Sequence, residues 1–143
     1  MRYIVATDGS KSSLEAADFL VQHSCAGPED EIFVIYVFPL PTDADCYEGV
    51  VSLPSDGSDD RVAAVAQPIL ARTLEVLAEV GSQVHKVVLV GNPAQEIVEF
   101  AMNLGVNLIV AGTRGRSPAK ELYLGSVSSA LTHRAPCSVL IVR

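Results

Sequence analysis

The stretch EIFVIYVF, residues 31–38, decides the fold. After Glu31 come seven apolar residues with no polar break, four of them β-branched. A strand with one wet face alternates apolar and polar side chains. An unbroken run of this length therefore describes a strand covered on both faces, the signature of a parallel sheet layered between helices.

The flanking sequence repeats the theme. Upstream, YIVAT (3–7) is a short β-branched run that ends in the turn signal Asp8-Gly9-Ser10. Ser12-Ser13-Leu14-Glu15 then reads as a capping box from Ser12 to Glu15, opening a helix with Leu14, Ala17, Leu20 and Val21 on one face. Gly27-Pro28 stops it. Downstream, residues 39–60 hold six acids and no base among Pro, Gly and Ser, and read as a long loop. Helical spacing returns through Val65, Ile69, Leu70, Leu74, Leu77 and Val80, closed by Gly81, with Pro68 predicting either a later start or a kink. A third strand, 84–90, precedes a helix over 94–104, and NLIVAG (107–112) is a fourth strand. Helical spacing through Val127, Ala130 and Leu131 leads into CSVLIVR (137–143), the fifth.

Five strands alternating with helices, without internal repeat or linker, predict one α/β domain over residues 1–143. Its expected form is a Rossmann-like, doubly wound five-stranded parallel sheet of order 3-2-1-4-5, with helices on both faces. In such sheets ligands sit beyond the carboxyl ends of the strands, where the winding reverses. That places a site at the ends of strands 1 and 4: Thr7 to Ser10, and Gly112 onward.

Composition narrows the chemistry. Of 143 residues, 49% are hydrophobic and 19% charged, which excludes a disordered chain. No apolar run reaches the roughly 20 residues of a membrane helix, and a strand begins at once, leaving no room for a signal peptide. A cytoplasmic protein is expected. The net charge of −7 argues against nucleic acid or an anionic membrane as partner. Cys25, Cys46 and Cys137 are too widely spaced for a zinc site or redox pair, and His23, His85 and His133 form no metal motif. No metal ligands are expected, and the thiols read as reduced.

The charge is unevenly distributed. Residues 112–143 carry five bases and one acid, +4, whereas residues 1–111 carry five bases and sixteen acids, −11. Within the cationic segment lies GTRGRSPAKELYLGS (112–126), where Gly112, Gly115 and Gly125 surround a short spacer. Gly125-Ser126 precedes the last helix, so the N–H groups of Gly125, Ser126, Val127 and Ser128 lack intrahelical acceptors. A helix N-terminus of this kind suits an anion. The hydroxyls of Ser126 and Ser128 could add donors, Arg114 and Arg116 could neutralise charge, and glycines let oxygens approach the backbone. The spacing matches neither the P-loop nor the dinucleotide fingerprint.

Gly112-Thr113-Arg114-Gly115, nine residues and then Gly125-Ser126 resembles the G-x2-G-x9-G-[ST] signature of ATP-binding universal stress proteins. YIVATDGS, IYVF, GNPAQEIVEFA and APCSVLIVR extend the resemblance along the chain. It implies a stress-response sensor or regulator that binds ATP, with Mg²⁺ held mainly by the phosphates. It also implies roles for individual residues. Ala6, Thr7 and Asp8 would line the nucleoside pocket, and Val37 would hold adenine through its backbone. Gly112, Thr113 and Gly115 would wrap ribose and phosphates, while Gly125, Ser126, Val127 and Ser128 would take the phosphate tail. Arg114 stands where the family often has histidine. No catalytic residue is expected, since no carboxylate is poised beside the loop to activate water.

The alternative is a dimeric interaction module of the same fold that binds no nucleotide. A phosphoacceptor receiver domain is excluded, because strand 1 offers only Asp8 and strand 3 ends in Gly91-Asn92 without an acceptor Asp. A haloacid-dehalogenase-type phosphatase would need an acid where Ser10 stands. The apolar last strand, placed at a sheet edge, predicts a homodimer, as the resemblance also implies. The identity of a protein partner is not written in the sequence.

Overall fold

The computed structural model describes residues 1–23, 26–40, 59–115 and 124–143. Most of the acidic stretch, Cys25, Cys46, Arg116 and Lys120 lie outside the described residues.

The chain runs β1 (Arg2–Ala6), α1 (Lys11–Gln22), β2 (Glu31–Pro39), α2 (Asp60–Val76, with a 3-10 turn at Leu77–Glu79), β3 (Gln83–Gly91), α3 (Pro93–Leu104), β4 (Leu108–Gly112), α4 (Ser126–Arg134) and β5 (Ser138–Val142). The five strands form one sheet of order β3-β2-β1-β4-β5, every pair parallel. This is the expected doubly wound α/β architecture.

The apolar run of β2 divides between two cores. Ile32, Val34 and Tyr36 face α1 and α2, packing with Tyr3, Val5, Leu20, Ile69 and Leu77. Phe33, Ile35 and Val37 face the other way, with Ile4, Ile97, Ala101, Ile109 and Leu131. Ile4, Val5, Ile32 and Val34 retain 0% exposure, so neither face of the central strands has room for a polar side chain. Each such buried side chain contributes roughly 1.5–3 kcal/mol to burial.

Three local expectations are corrected. The N-cap of α1 is Ser10, whose Oγ accepts from the Ser13 N–H at 3.3 Å, not Ser12. The chain has already reversed at Gly9 (φ 75°), so the Ser10 carbonyl takes the first helical bond, from the Leu14 N–H at 3.1 Å. Glu15 is left one turn beyond Lys11, pairing with it at 3.4 Å. Pro68 does not start α2: the helix begins at Asp60 behind the N-cap Asp59, and Val62, Ala66, Ile69, Leu70 and Thr73 bury a stripe on both sides of the proline. Val65 falls off that stripe and is 39% exposed.

Candidate functional site

All strands are parallel, so their carboxyl ends share one edge of the sheet. Between β1 and β4 the helices leave for opposite faces, α1 to one and α4 to the other. The gap at that reversal is a cleft of about 410 Å³.

The end of β1 supplies one wall. The Thr7 N–H donates to the Ile35 carbonyl at 2.9 Å, extending the ladder by one bond. The chain then turns, with Asp8 Oδ1 accepting from the Ser10 N–H at 3.0 Å. Thr7 is buried and Asp8 half-buried, and both line the cleft.

The end of β4 and the start of α4 supply the opposite wall, and the three glycines there do three different things. A Cβ on Gly112 would overlap Ser12 Oγ and lie 2.5 Å from the Ser12 carbonyl oxygen. The first turn of α1 therefore occupies the space that glycine frees. At Gly115 the nearest atom would be Asp8 Oδ2, at 2.5 Å, so the loop lies against the carboxylate from β1. At Gly125 a Cβ would stand 3.3 Å from the Thr113 carbonyl oxygen and 3.4 Å from Arg114 Cα, close but not overlapping.

The Thr113 carbonyl holds the two ends of the loop together. It accepts from the Gly125 N–H at 2.7 Å and from Ser128 Oγ at 2.9 Å. Two expectations change here. The Gly125 N–H is already bonded, and the Ser128 hydroxyl proton goes to the Thr113 carbonyl or to that of Gly125, 3.0 Å away. Ser128 is 3% exposed, a clamp more than a surface donor.

What remains at the start of α4 is the N–H groups of Ser126, Val127 and Ser128, which have no carboxyl-capped turn to serve. Gly125 is the N-cap and offers no side chain, and the first turn of α4 holds no acid. By contrast α1, α2 and α3 are capped by Ser10, Asp59 and Asn92. His133 and Arg134 occupy the last turn, where cations complement the dipole. The positive end of α4 thus opens into the cleft with no side-chain cap and no acid in its own first turn.

Ala6, Thr7, Asp8, Val37, Gly112, Arg114, Gly115, Gly125, Ser126, Val127 and Ser128 all line the cleft. Thr113 acts behind the wall through its carbonyl, and Arg116 lies outside the described residues. Sequence reasoning missed Tyr36 and Pro39 of β2, Pro93 and Ile97 of α3, and Ser13. Pro39 and Pro93 carried a signal, since Pro39 closes β2 and Pro93 opens α3 just beyond the carboxyl end of β3. Ile97 carried none, because an apolar residue at helical spacing reads as core. The cleft is consequently two-ended: Val37, Pro39, Pro93 and Ile97 make an apolar end, and Asp8, Arg114 and the α4 N-terminus a polar one. Such a shape suits a ligand with a flat apolar group joined to an anion. Among the described residues no group of three or more His, Cys, Asp or Glu could hold a metal ion, and no helix is long and apolar enough to cross a membrane.

Comparison with known proteins agrees along the whole chain. The model of the universal stress protein family matches residues 1–143. Universal stress protein YxiE of Bacillus subtilis is 36% identical over 146 residues, covering 99% of this chain and 98% of YxiE. Universal stress protein MJ0531 of Methanocaldococcus jannaschii is 33% identical over 146 residues, covering 99% of this chain and 81% of MJ0531. Among solved structures, a universal stress protein in complex with cAMP superposes with a TM-score of 0.62 at 26% identity, covering 100% of this chain and 96% of that one.

Proposed function

The chain belongs to the universal stress protein family, and on that premise we propose that it binds ATP in this cleft and works as a cytoplasmic sensor or regulator of the stress response. One observation carries the reading: an apolar slot and an uncapped helix N-terminus open into the same cavity. The cavity, about 410 Å³, falls within the roughly 300–1,000 Å³ of small-molecule sites. The cAMP complex of a relative supports a nucleotide as the ligand class.

The donor set fits an adenine nucleotide. The backbone of Val37 and the side chains of Pro39, Pro93 and Ile97 would take the base, and Ala6, Thr7 and Asp8 the nucleoside beside it. Gly112, Thr113 and Gly115 would follow ribose and phosphates. The N–H groups of Ser126, Val127 and Ser128 would hold the phosphate tail, to which the missing Cβ of Gly125 leaves access. Arg114, and Arg116 beyond it, would add positive charge. Mg²⁺ would be held mainly by the phosphates.

A homodimer through β5 belongs to the same reading. The two sheet edges differ: β3 carries Lys86 and Gln83, whereas β5, Ser138–Val142, carries no charge. Charged edges resist strand addition and uncharged ones invite it. The test of function is chromatography of small molecules released on denaturing the purified protein, followed by ATP titration. Retained adenine nucleotide or saturable binding supports the proposal. Neither, in a folded protein, would leave the interaction module.

A further inference from the structure

Under the polar end of the cleft lies a group of hydroxyls of which the nucleotide reading uses only Thr7. Thr7, Ser13 and Thr73 are 6%, 4% and 0% exposed. Thr73 comes from α2, a helix that contributes nothing to the cleft lining. Its Oγ1 is 2.8 Å from Thr7 Oγ1, and Ser13 Oγ is 3.2 Å from the same atom.

Neighbouring carbonyls complete the group. Ser13 Oγ donates to the Ser10 carbonyl at 2.9 Å, and Thr73 Oγ1 donates to the Ile69 carbonyl at 3.1 Å. Thr7 Oγ1 is hydrogen-bonded to both Thr73 Oγ1 and Ser13 Oγ, either oxygen of each pair able to donate, and every buried hydroxyl has a partner. A lone pair of Thr7 Oγ1 accepts from the Gly9 N–H at 3.2 Å. That bond turns the chain at Gly9, where φ is 75°. The turn in turn delivers Asp8 to the cleft. Ile69, one helical turn before Thr73, presses on the same place: a Cβ on Gly9 would be 3.1 Å from Ile69 Cγ1.

We infer that Thr73 is a positioning residue for the cleft: its buried hydroxyl orients Thr7, Thr7 sets the turn at Gly9, and the turn aims the Asp8 carboxylate. The inference rests on the nucleotide reading of the cleft, but its geometry does not depend on which ligand binds. It makes α2 a structural determinant of a site that it does not touch.

The test uses T73V, which keeps the branched shape and removes the hydroxyl, T73S, which keeps the hydroxyl, and D8A. ATP affinity and the amide NMR shifts of Gly9 and Ser10 are measured in each. T73V is expected to weaken ATP binding roughly tenfold, the scale of one buried hydrogen bond, and T73S to restore it. Because Thr73 acts through Asp8, T73V in a D8A background changes affinity less than twofold. An equal loss in both backgrounds, or none in either, overturns the inference. If the wild-type protein binds no ATP, the functional reading fails. The amide shifts then decide: movement of Gly9 and Ser10 in T73V and their return in T73S sustains the positioning role, and unmoved amides refute it. If T73V does not fold, shifted turn amides in T73S, where the hydroxyl is intact, refute it equally.

Discussion

Alanine substitution at Gly112 and Gly125 should separate two roles that look identical in the sequence. In G112A the new methyl would sit 2.5–2.6 Å from backbone atoms of Ser12, where carbon contacts need about 3.5–4.0 Å. Backbone cannot swing aside, so α1 must move by roughly 1 Å from a sheet against which Ala16, Ala17 and Leu20 are buried. Overpacking of this kind costs about 3 kcal/mol, and at about 4 °C per kcal/mol in a chain of this size Tm falls by about 12 °C. In G125A the nearest atom is 3.3 Å away. The backbone there, φ −70° and ψ 168°, suits any residue. The reduced freedom of the unfolded chain offsets the small push, leaving stability within about 1 kcal/mol. The methyl instead stands against the loop backbone from Thr113 to Gly115, narrowing the wall of the cleft next to the start of α4, so ATP affinity should fall at least about tenfold, 1.4 kcal/mol. Thermal melts of the ligand-free variants and calorimetric titration with ATP measure both quantities. A G112A protein that melts within about 4 °C of wild type, or a G125A protein that loses more stability than G112A, would refute the assignment of roles.

Three further outcomes follow from the geometry. Asp59, the N-cap of α2, is held at a pKa of about 2 by its bonds to the Arg61 side chain and backbone; its contribution to stability is full above its ordinary 3.8 and is lost as pH falls from there through about 2. Carboxyl-carbon NMR should show that titration, and a midpoint near 4 would remove the cap. The Val142 carbonyl accepts from the Thr113 N–H and so faces β4, which by alternation turns the N–H of Val139 to the open edge. V139P should therefore yield a monomer in sedimentation velocity while keeping the fold by circular dichroism; a V139P dimer rules out β5 pairing. R2A should destabilise by about 0.5–1 kcal/mol, less at high salt, since the Arg2 guanidinium bridges Glu31 and the Leu104 carbonyl at the end of α3. A salt-independent loss in denaturant titration would point to packing instead.

The alternation of strands and helices was legible because β2 is apolar on both faces, which only a sheet between two helical layers explains. The position of the cleft followed from topology, and the residues at the ends of β1 and β4 came with it. Less visible was what fills the space a glycine frees. Gly112, Gly115 and Gly125 face respectively a helix backbone, a carboxylate and a carbonyl, and spacing alone cannot distinguish these. The choice between Ser10 and Ser12 as cap was decided by the left-handed turn at Gly9, a tertiary fact, since the turn packs against Ile69 of α2. Thr73 gave no warning at all, since a threonine within a helix reads as surface or filler until its partner is known.

The order of strands also bears on how the protein is made. β1 is the central strand, Arg2–Ala6, yet one of its partners, β4, begins only at Leu108. During synthesis β1, β2 and β3 can pair as soon as residue 91 is free, forming a half-sheet with α1 and α2 on one face. The other side of β1, with Ile4 and Val5 ultimately sealed, stays open until β4 and β5 arrive. Such long-range closure is slow compared with local contacts, and the growing chain carries an adhesive seam in the meantime. Because the cleft lies along that seam, it takes shape only when β4 and α4 have joined β1, and a ligand able to bridge its two walls would act late, locking the two halves together.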